Sequence, residues 1–263
     1  MDSTLIVQGL LNGLLFGGVY SLMAVGLTLI FGVMRVVNFA HGDMMIWGMY
    51  LAWVLATRLG LDPYVGFVAC GAVLFLLGVG LQRWLVDRIV DAPHEMQILL
   101  MLGVALVLEN GALVVFGPDP QRVRSPLTQA AVWLGPIFVD VGRLLSFAVA
   151  LALTLVLFLF LTRTDLGRTM RAASDNSYGA LVSPILPFQP SGGLSLSVAS
   201  FNIVIIGGMG SLIGAFIGGL LVSVAESFGA VFLSPSMKEL VSFSLLIVIL
   251  LFRPAGLFGK SSA

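Results

Sequence analysis

LIVQGLLNGLLFGGVYSLMAVGLTLIF, residues 5–31, contains no Asp, Glu, Lys or Arg. A helix needs about 20 apolar residues to span the hydrocarbon core of a bilayer, and this run exceeds that length. It is too long for the apolar part of a secretory leader and has no basic segment before it, so it reads as a mature spanning helix. A strand of a membrane barrel is about 10 residues long and alternates apolar with polar side chains. This run is apolar on every face. Lipid offers no partner to a backbone amide, and a helix pairs its amides within one segment.

The same reading extends outward. Residues 44–56 form a shorter apolar run, either tilted or partly inserted. Further runs follow at 64–81, 97–116 and 144–161. Residues 194–231 are long enough for two crossings, broken near Gly207, Gly208 and Gly210, and a last run covers 240–252. The expected fold class is all-α: a polytopic transmembrane helix bundle of about eight spans or re-entrant segments, forming a single domain over residues 1–263. Composition agrees. Of 263 residues, 59% are hydrophobic and 10% charged, with mean hydropathy +1.07. A soluble domain carries about 25% charged residues, so there is too little charge here for a water-facing surface. The hydrophobicity also excludes intrinsic disorder. Formal net charge is zero with no basic tract, which gives no footprint for nucleic acid. The lone Cys70 rules out a disulfide framework and reads as a small buried apolar residue.

Basic residues favour cytoplasmic loops. Arg163, Arg168 and Arg171 fall in one loop, Arg83 and Arg88 in another, and Arg253 and Lys260 in the tail. Placing these inside puts the N-terminus outside, with Arg122 and Arg124 against the rule. A parity conflict follows. An even number of crossings must separate the Arg168 loop from the tail, yet the runs supply three: two in 194–231 and one in 240–252.

Several residues stand out against the apolar background. Gly9, Gly13 and Gly17, and again Gly210, Gly214 and Gly218, recur every four residues on one helix face, which lets a second backbone approach closely. That packing is either internal to the chain or a seam with another subunit. Ionisable groups inside a bilayer cost at least about 2.5 kcal/mol at a helix centre, which singles out Glu109, followed by Asn110, and Glu226. With the neutral Asn12 and Asn202, they either line a polar path or tie helices together. Asn38-Phe39-Ala40-His41-Gly42-Asp43 interrupts two apolar runs. His41 and Asp43 alone do not make a metal site, since zinc needs three or four protein ligands. No GxxxxGK phosphate loop, GxSxG elbow or HExxH helix occurs, so neither a metal, a cofactor nor a catalytic group is expected. The polar stretch 164–176, TDLGRTMRAASDN, follows a long apolar helix and reads as its end plus a short amphipathic piece on which a soluble partner could pack.

Four stretches together carry a resemblance: GLLNGLLFGGVYSLMAVGLTLIFGVMRVVNFAHGDMMIWGMY at 9–50, TDLGRTMRAASDN at 164–176, IIGGMGSLIGAFIGGLLVSVAES at 205–227 and RPAGLFG at 253–259. In these the chain resembles branched-chain amino acid ABC-transporter permeases of the LivH type. The resemblance implies a non-enzymatic permease subunit in the cell (inner) membrane. Its expected partners are a second homologous permease, two cytoplasmic ATPases and an extracytoplasmic substrate-binding protein, with transport by alternating access. It implies that Gly167, Arg168, Met170, Arg171, Ala172, Asp175 and Asn176 lie in a cytoplasmic ATPase-docking loop spanning about 163–182. It also places the region of Asn38, His41 and Asp43 beside the translocation path, where Asn12, Glu109, Asn110 and Glu226 are further candidates. In the family another transmembrane helix follows the docking loop. Here Ala180-Leu181-Val182 runs directly into Ser183-Pro184-Ile185-Leu186-Pro187, so about 25 residues, one span and a few loop positions, are missing after Ala180. The alternatives are an amide or urea permease of the same superfamily, a secondary transporter or channel, and a shortened remnant that does not transport.

Overall fold

A computed structural model of the chain describes residues 3–34, 37–89, 92–123, 130–163 and 188–259. In chain order its helices are α1 (Ser3–Met34), α2 (His41–Leu59), α3 (Pro63–Trp84), α4 (His94–Phe116), α5 (Val141–Arg163), α6 (Gly193–Gly207), α7 (Leu212–Phe232) and α8 (Lys238–Phe252). Strands β1 (Ala131–Leu134) and β2 (Ile137–Asp140) form one antiparallel hairpin before α5. The chain is an all-α polytopic membrane protein, in which every helix except α2 is part of a segment long and apolar enough to cross a bilayer.

Local chemistry sets the helix ends. Asp62 accepts a hydrogen bond from the Tyr64 amide at 3.0 Å and Pro63 occupies the first turn of α3, where its missing N–H is no loss. Gly60, at φ 64°, ends α2 in the left-handed conformation, which glycine adopts without a Cβ penalty. Ser211 caps α7 by accepting from the Gly214 amide at 3.0 Å.

The described residues fall into two compact units. One comprises Met1–Thr28, Pro126–Asp165 and Ser200–Ala263; the other comprises Leu29–Ser125 and Leu166–Ala199.

In the first unit, glycine sets the helix spacing. A Cβ built on Gly13 would lie 2.8 Å from the Val224 Cα, and one on Gly17 would lie 2.9 Å from the Leu220 Cα. These contacts run α1 antiparallel to α7, and the Ser21 hydroxyl closes the pair by donating to the Phe216 carbonyl at 2.6 Å. Gly9 is looser, with Val231 3.5 Å from its Cβ position. Gly214 abuts Gly207, and a Cβ on Gly218 would lie 2.9 Å from the Ile203 carbonyl oxygen, so α6 and α7 are also antiparallel. Gly210 departs from the packing expectation. Nothing lies within 4 Å of its Cβ position, and its φ of 85° makes it a turn residue between α6 and α7.

The other end of α1 holds the hairpin. Gln8 Nε2 donates to the Phe138 carbonyl at 2.8 Å, and the Phe138 amide donates to Gln8 Oε1 at 2.9 Å. One side chain thus takes the place of a strand neighbour for β2. Replacing Gln8 by Leu removes both bonds, at about 0.5–1.5 kcal/mol each. The expected result is faster amide exchange at Phe138 with little change at Val19 in the middle of α1. Unaltered exchange at Phe138 would mean that the hairpin is held by something else.

Helix direction now bears on the crossing count. α5 leaves the hairpin beside the start of α1 and runs parallel to it, with Phe147 against Gly18. Arg163, at its far end, therefore lies at the same end of this unit as the α6–α7 turn. The tail is there too: the Leu257 amide donates to the Ile206 carbonyl at 2.9 Å and the Phe258 amide to the Gly207 carbonyl at 3.0 Å. These bonds satisfy carbonyls that the end of α6 leaves without helical partners. Arg163 and Arg253 thus share one end of this unit, and α7 and α8 make two passes between the α6–α7 turn and the tail. Residues 164–187, which follow Arg163, lie outside the described residues. That stretch contains no apolar run of spanning length.

In the second unit, α2 runs alongside α4 in the same direction. Ala40 packs on Val104 and Ala105, Trp47 Nε1 donates to the Leu108 carbonyl at 2.9 Å, and Tyr50 stacks on Phe116 with centroids 4.1 Å apart and planes 7° from parallel. α3 returns antiparallel, with Cys70 buried against Ala52.

Candidate functional site

The interruption at Asn38–Ala40 separates α1 from α2 at the level of Val104 and Ala105, halfway along the 23 residues of α4. A helix that begins there presents unpaired amides far from either end of its neighbour. In hydrocarbon such amides must find partners within the protein. Asn38 Oδ1 accepts from the Ala40 amide at 3.0 Å. The Ser197 hydroxyl of α6 accepts from the Gly42 amide at 2.8 Å and donates to the Phe39 carbonyl at 2.7 Å. One serine therefore bridges the break on both sides.

That bridge requires the backbones to touch. A Cβ on Gly42 would overlap the Gly193 carbonyl oxygen, and a Cβ on Gly193 would overlap the Asp43 side chain. The first residues of α2 and α6 thus meet at two glycines. His41 is fully buried and Asp43 is 2% exposed, with no hydrogen-bond partner for Asp43 Oδ1 among the described residues. The carboxylate lies beside the starts of two helices, whose N-terminal partial positive charge favours an anion. Glu109, half-buried on α4, acts on Asp43 as a like charge. Asn110 faces outward on α4, where its amide donates back to the Leu106 carbonyl at 2.7 Å.

Asn12 and Glu226 belong to the other unit. Asn12 Oδ1 accepts from Gln8 and Arg143 Nη1, each at 3.4 Å, at the hairpin end of α1. Glu226 Oε2 accepts from the Tyr20 hydroxyl at 3.0 Å. Nearby, Ser242 Oγ accepts from Asn202 Nδ2 at 2.5 Å. Tyr20, Glu226, Ser242 and Asn202 are all buried, and they come from α1, α7, α8 and α6. The candidate residues therefore divide into a polar helix break in one unit and two buried hydrogen-bonded pairs, Tyr20–Glu226 and Asn202–Ser242, in the other. Among the described residues no three His, Cys, Asp or Glu cluster as a metal site. The docking-loop candidates Gly167, Arg168, Met170, Arg171, Ala172, Asp175 and Asn176 lie outside the described residues.

A family model described as the permease component of the branched-chain amino acid transport system matches residues 9–189 and 179–250. The chain belongs to this permease family. Its relatives include the high-affinity branched-chain amino acid transport permease BraD of Pseudomonas aeruginosa, 28% identical over 294 residues, covering 97% of this chain and 96% of BraD. LivH of Escherichia coli is 26% identical over 298 residues, with the same two coverages. A probable LivH of Methanocaldococcus jannaschii is 24% identical over 302 residues, covering 98% and 93%. No solved structure matches. The alignment with BraD is longer than the 263 residues of this permease, so BraD contains positions with no counterpart here. The family match also falls into two pieces that overlap at 179–189.

Sequence reading missed Ser197 and Gly193 as partners of the break, Tyr20 as the partner of Glu226 and Ser242 as the partner of Asn202. Serine, glycine and tyrosine are ordinary in membrane helices, and their partners lie far away in the chain, so no local signal marks them. Ser197→Ala should destabilise the permease by about 1–3 kcal/mol, since it leaves the buried Gly42 amide short of its acceptor and removes a donor to the part-buried Phe39 carbonyl. Ser197→Thr keeps the hydroxyl. Amide exchange at Gly42 should rise in the alanine variant alone; equal exchange in both would show that the hydroxyl does not hold the break.

Proposed function

We propose that this permease is the membrane-spanning subunit of an ATP-driven importer for branched-chain or related amino acids, located in the cell inner membrane and working by alternating access. The observation that supports this reading most is the position of the helix break. A polar, backbone-exposing interruption halfway along its neighbour is the feature from which transporters build solute sites, because only there can irregular backbone face a cavity instead of lipid. The implied partners are a second permease, two ATPases and a substrate-binding protein, with the ATPases docking at the 167–176 motif. The chain itself has no phosphate-binding loop, so hydrolysis belongs to the ATPases.

The test is reconstitution of the full chain with its ATPases, second permease and binding protein in liposomes. ATP-dependent leucine accumulation is expected. Accumulation that follows an imposed ion gradient without ATP would move the protein to the secondary transporters.

The three apolar runs counted in the sequence between the Arg168 loop and the tail, the family match in two overlapping pieces and the longer alignments with relatives favour a second reading, that of a shortened chain. On that reading the segment after the docking motif lacks one spanning helix, and ATPase assembly is weak or absent. Co-purification decides between the two. Stoichiometric recovery of the ATPases with this chain excludes a non-assembling remnant, and their loss at moderate salt supports it.

A further inference from the structure

We infer that a cleft beside the helix break is a subsite for the aliphatic side chain of the transported solute; this rests on the transport reading above. The cleft encloses about 330 Å3, at the small end of the roughly 300–1,000 Å3 that small-molecule sites occupy. Ile46 and Met49 of α2 form one wall, and Phe188 and Leu196 form much of the other. Gln189 and Ser195 supply the polar side chains of its lining, and among the described residues no charged side chain lines it. The Ser195 hydroxyl donates to the Gly192 carbonyl at 2.9 Å. Such a lining recognises an alkyl group by removing it from water and offers little to an ammonium or carboxylate group.

Position links the cleft to the break. Ile46 is one helical turn beyond Asp43, and Gly192, also on the lining, directly precedes the Gly193 that touches Asp43. A solute whose polar end lies at the break would therefore have its side chain within reach of the cleft. Phe188, on the lining, meets Tyr50 edge to face with centroids 4.9 Å apart, and Tyr50 is in turn stacked on Phe116. An apolar pocket of limited volume discriminates side-chain length. One methylene more or less in such a pocket changes selectivity by about 10–200-fold. A lipid acyl chain has the same chemistry, so the experiment separates the two sources.

The measurement is competition against radiolabelled leucine on the purified full chain in lipid nanodiscs. The wild type should prefer leucine to alanine by about tenfold or more. Met49→Trp, which fills the cleft, should reduce that preference to near unity, while Leu196→Ala, which enlarges it, should let phenylalanine compete better. Val248→Ala, on the outer face of α8, should leave the preference as it is. No saturable leucine binding, equal competition by alanine, or an M49W preference equal to wild type would each overturn the subsite. So would fluorescence of the M49W chain that brominated acyl chains quench far more than wild type, since lipid would then own the cleft. ATP-driven uptake by the assembled transporter separates the two levels of the argument. Leucine uptake with an unaltered side-chain preference in M49W would sink the subsite alone. A cleft-dependent binding preference without any uptake would sustain the subsite and sink the transport reading.

Discussion

Gly42→Val is expected to destabilise the permease by about 3 kcal/mol or more, the upper part of the range for overpacking. The cause is backbone meeting backbone. A Cβ at position 42 would overlap the Gly193 carbonyl oxygen and lie 2.7 Å from the Ser197 amide nitrogen. No rotamer relieves that contact, because neither neighbouring atom is at the end of a side chain. The start of α6 has to move away from α2, and the Ser197 bridge to Phe39 and Gly42 breaks with it. Gly103→Ala is the control. Nothing lies within 4 Å of its Cβ position, and alanine in a helix interior is favoured over glycine by about 0.5–1 kcal/mol. Denaturant titration of both variants in detergent micelles reads the difference. A Gly42→Val chain as stable as the Gly103→Ala chain would show that α2 and α6 do not meet at these glycines.

Glu226→Ala should cost about 2 kcal/mol and loosen the contact between α1 and α7. The substitution strands the Tyr20 hydroxyl, and a stranded buried donor costs about 1–3 kcal/mol. Relief from holding a carboxyl group inside the bilayer offsets part of this. Glu226→Gln keeps an acceptor for Tyr20 and should cost less. A double-mutant cycle with Tyr20→Phe isolates the pair. Interhelical hydrogen bonds in membrane proteins average about 0.6 kcal/mol with a maximum near 1.7, and the 3.0 Å bond between buried groups belongs in the upper half of that range. A coupling energy of zero would mean that Glu226 answers to something other than Tyr20. If leucine transport fails in Glu226→Gln while stability is kept, the residue belongs to the solute path and not to helix attachment.

Much of this architecture is legible in the amino-acid sequence because it depends on quantities summed along the chain. Length and apolarity decide which segments cross the bilayer, and the charge-free run at 5–31 settles the helical reading before any neighbour is considered. The four-residue spacing of Gly13 and Gly17, or of Gly214 and Gly218, is likewise local, since it follows from the helical repeat. Even the odd number of apolar runs after Arg168 is visible as a conflict between loop charge and run count. Partners and depth are not local. Gly210 continues the same spacing and yet sits in a turn, because α7 begins only at Leu212. The Asn38–Asp43 interruption looks like a connection between runs, and only the packing of Ala40 on Val104 and Ala105 shows that it lies halfway along a neighbouring helix. Glu109, Asn110 and Glu226 stand out equally in an apolar sequence, but tertiary structure leaves the first half-buried on α4, turns the second outward and joins the third to Tyr20. A bilayer demands that each segment satisfy its own backbone, which the sequence of that segment can encode. The pairing of polar side chains between segments joins residues from 40 positions apart, as in Asn202–Ser242, to 206, as in Tyr20–Glu226, and only the packed bundle brings them together.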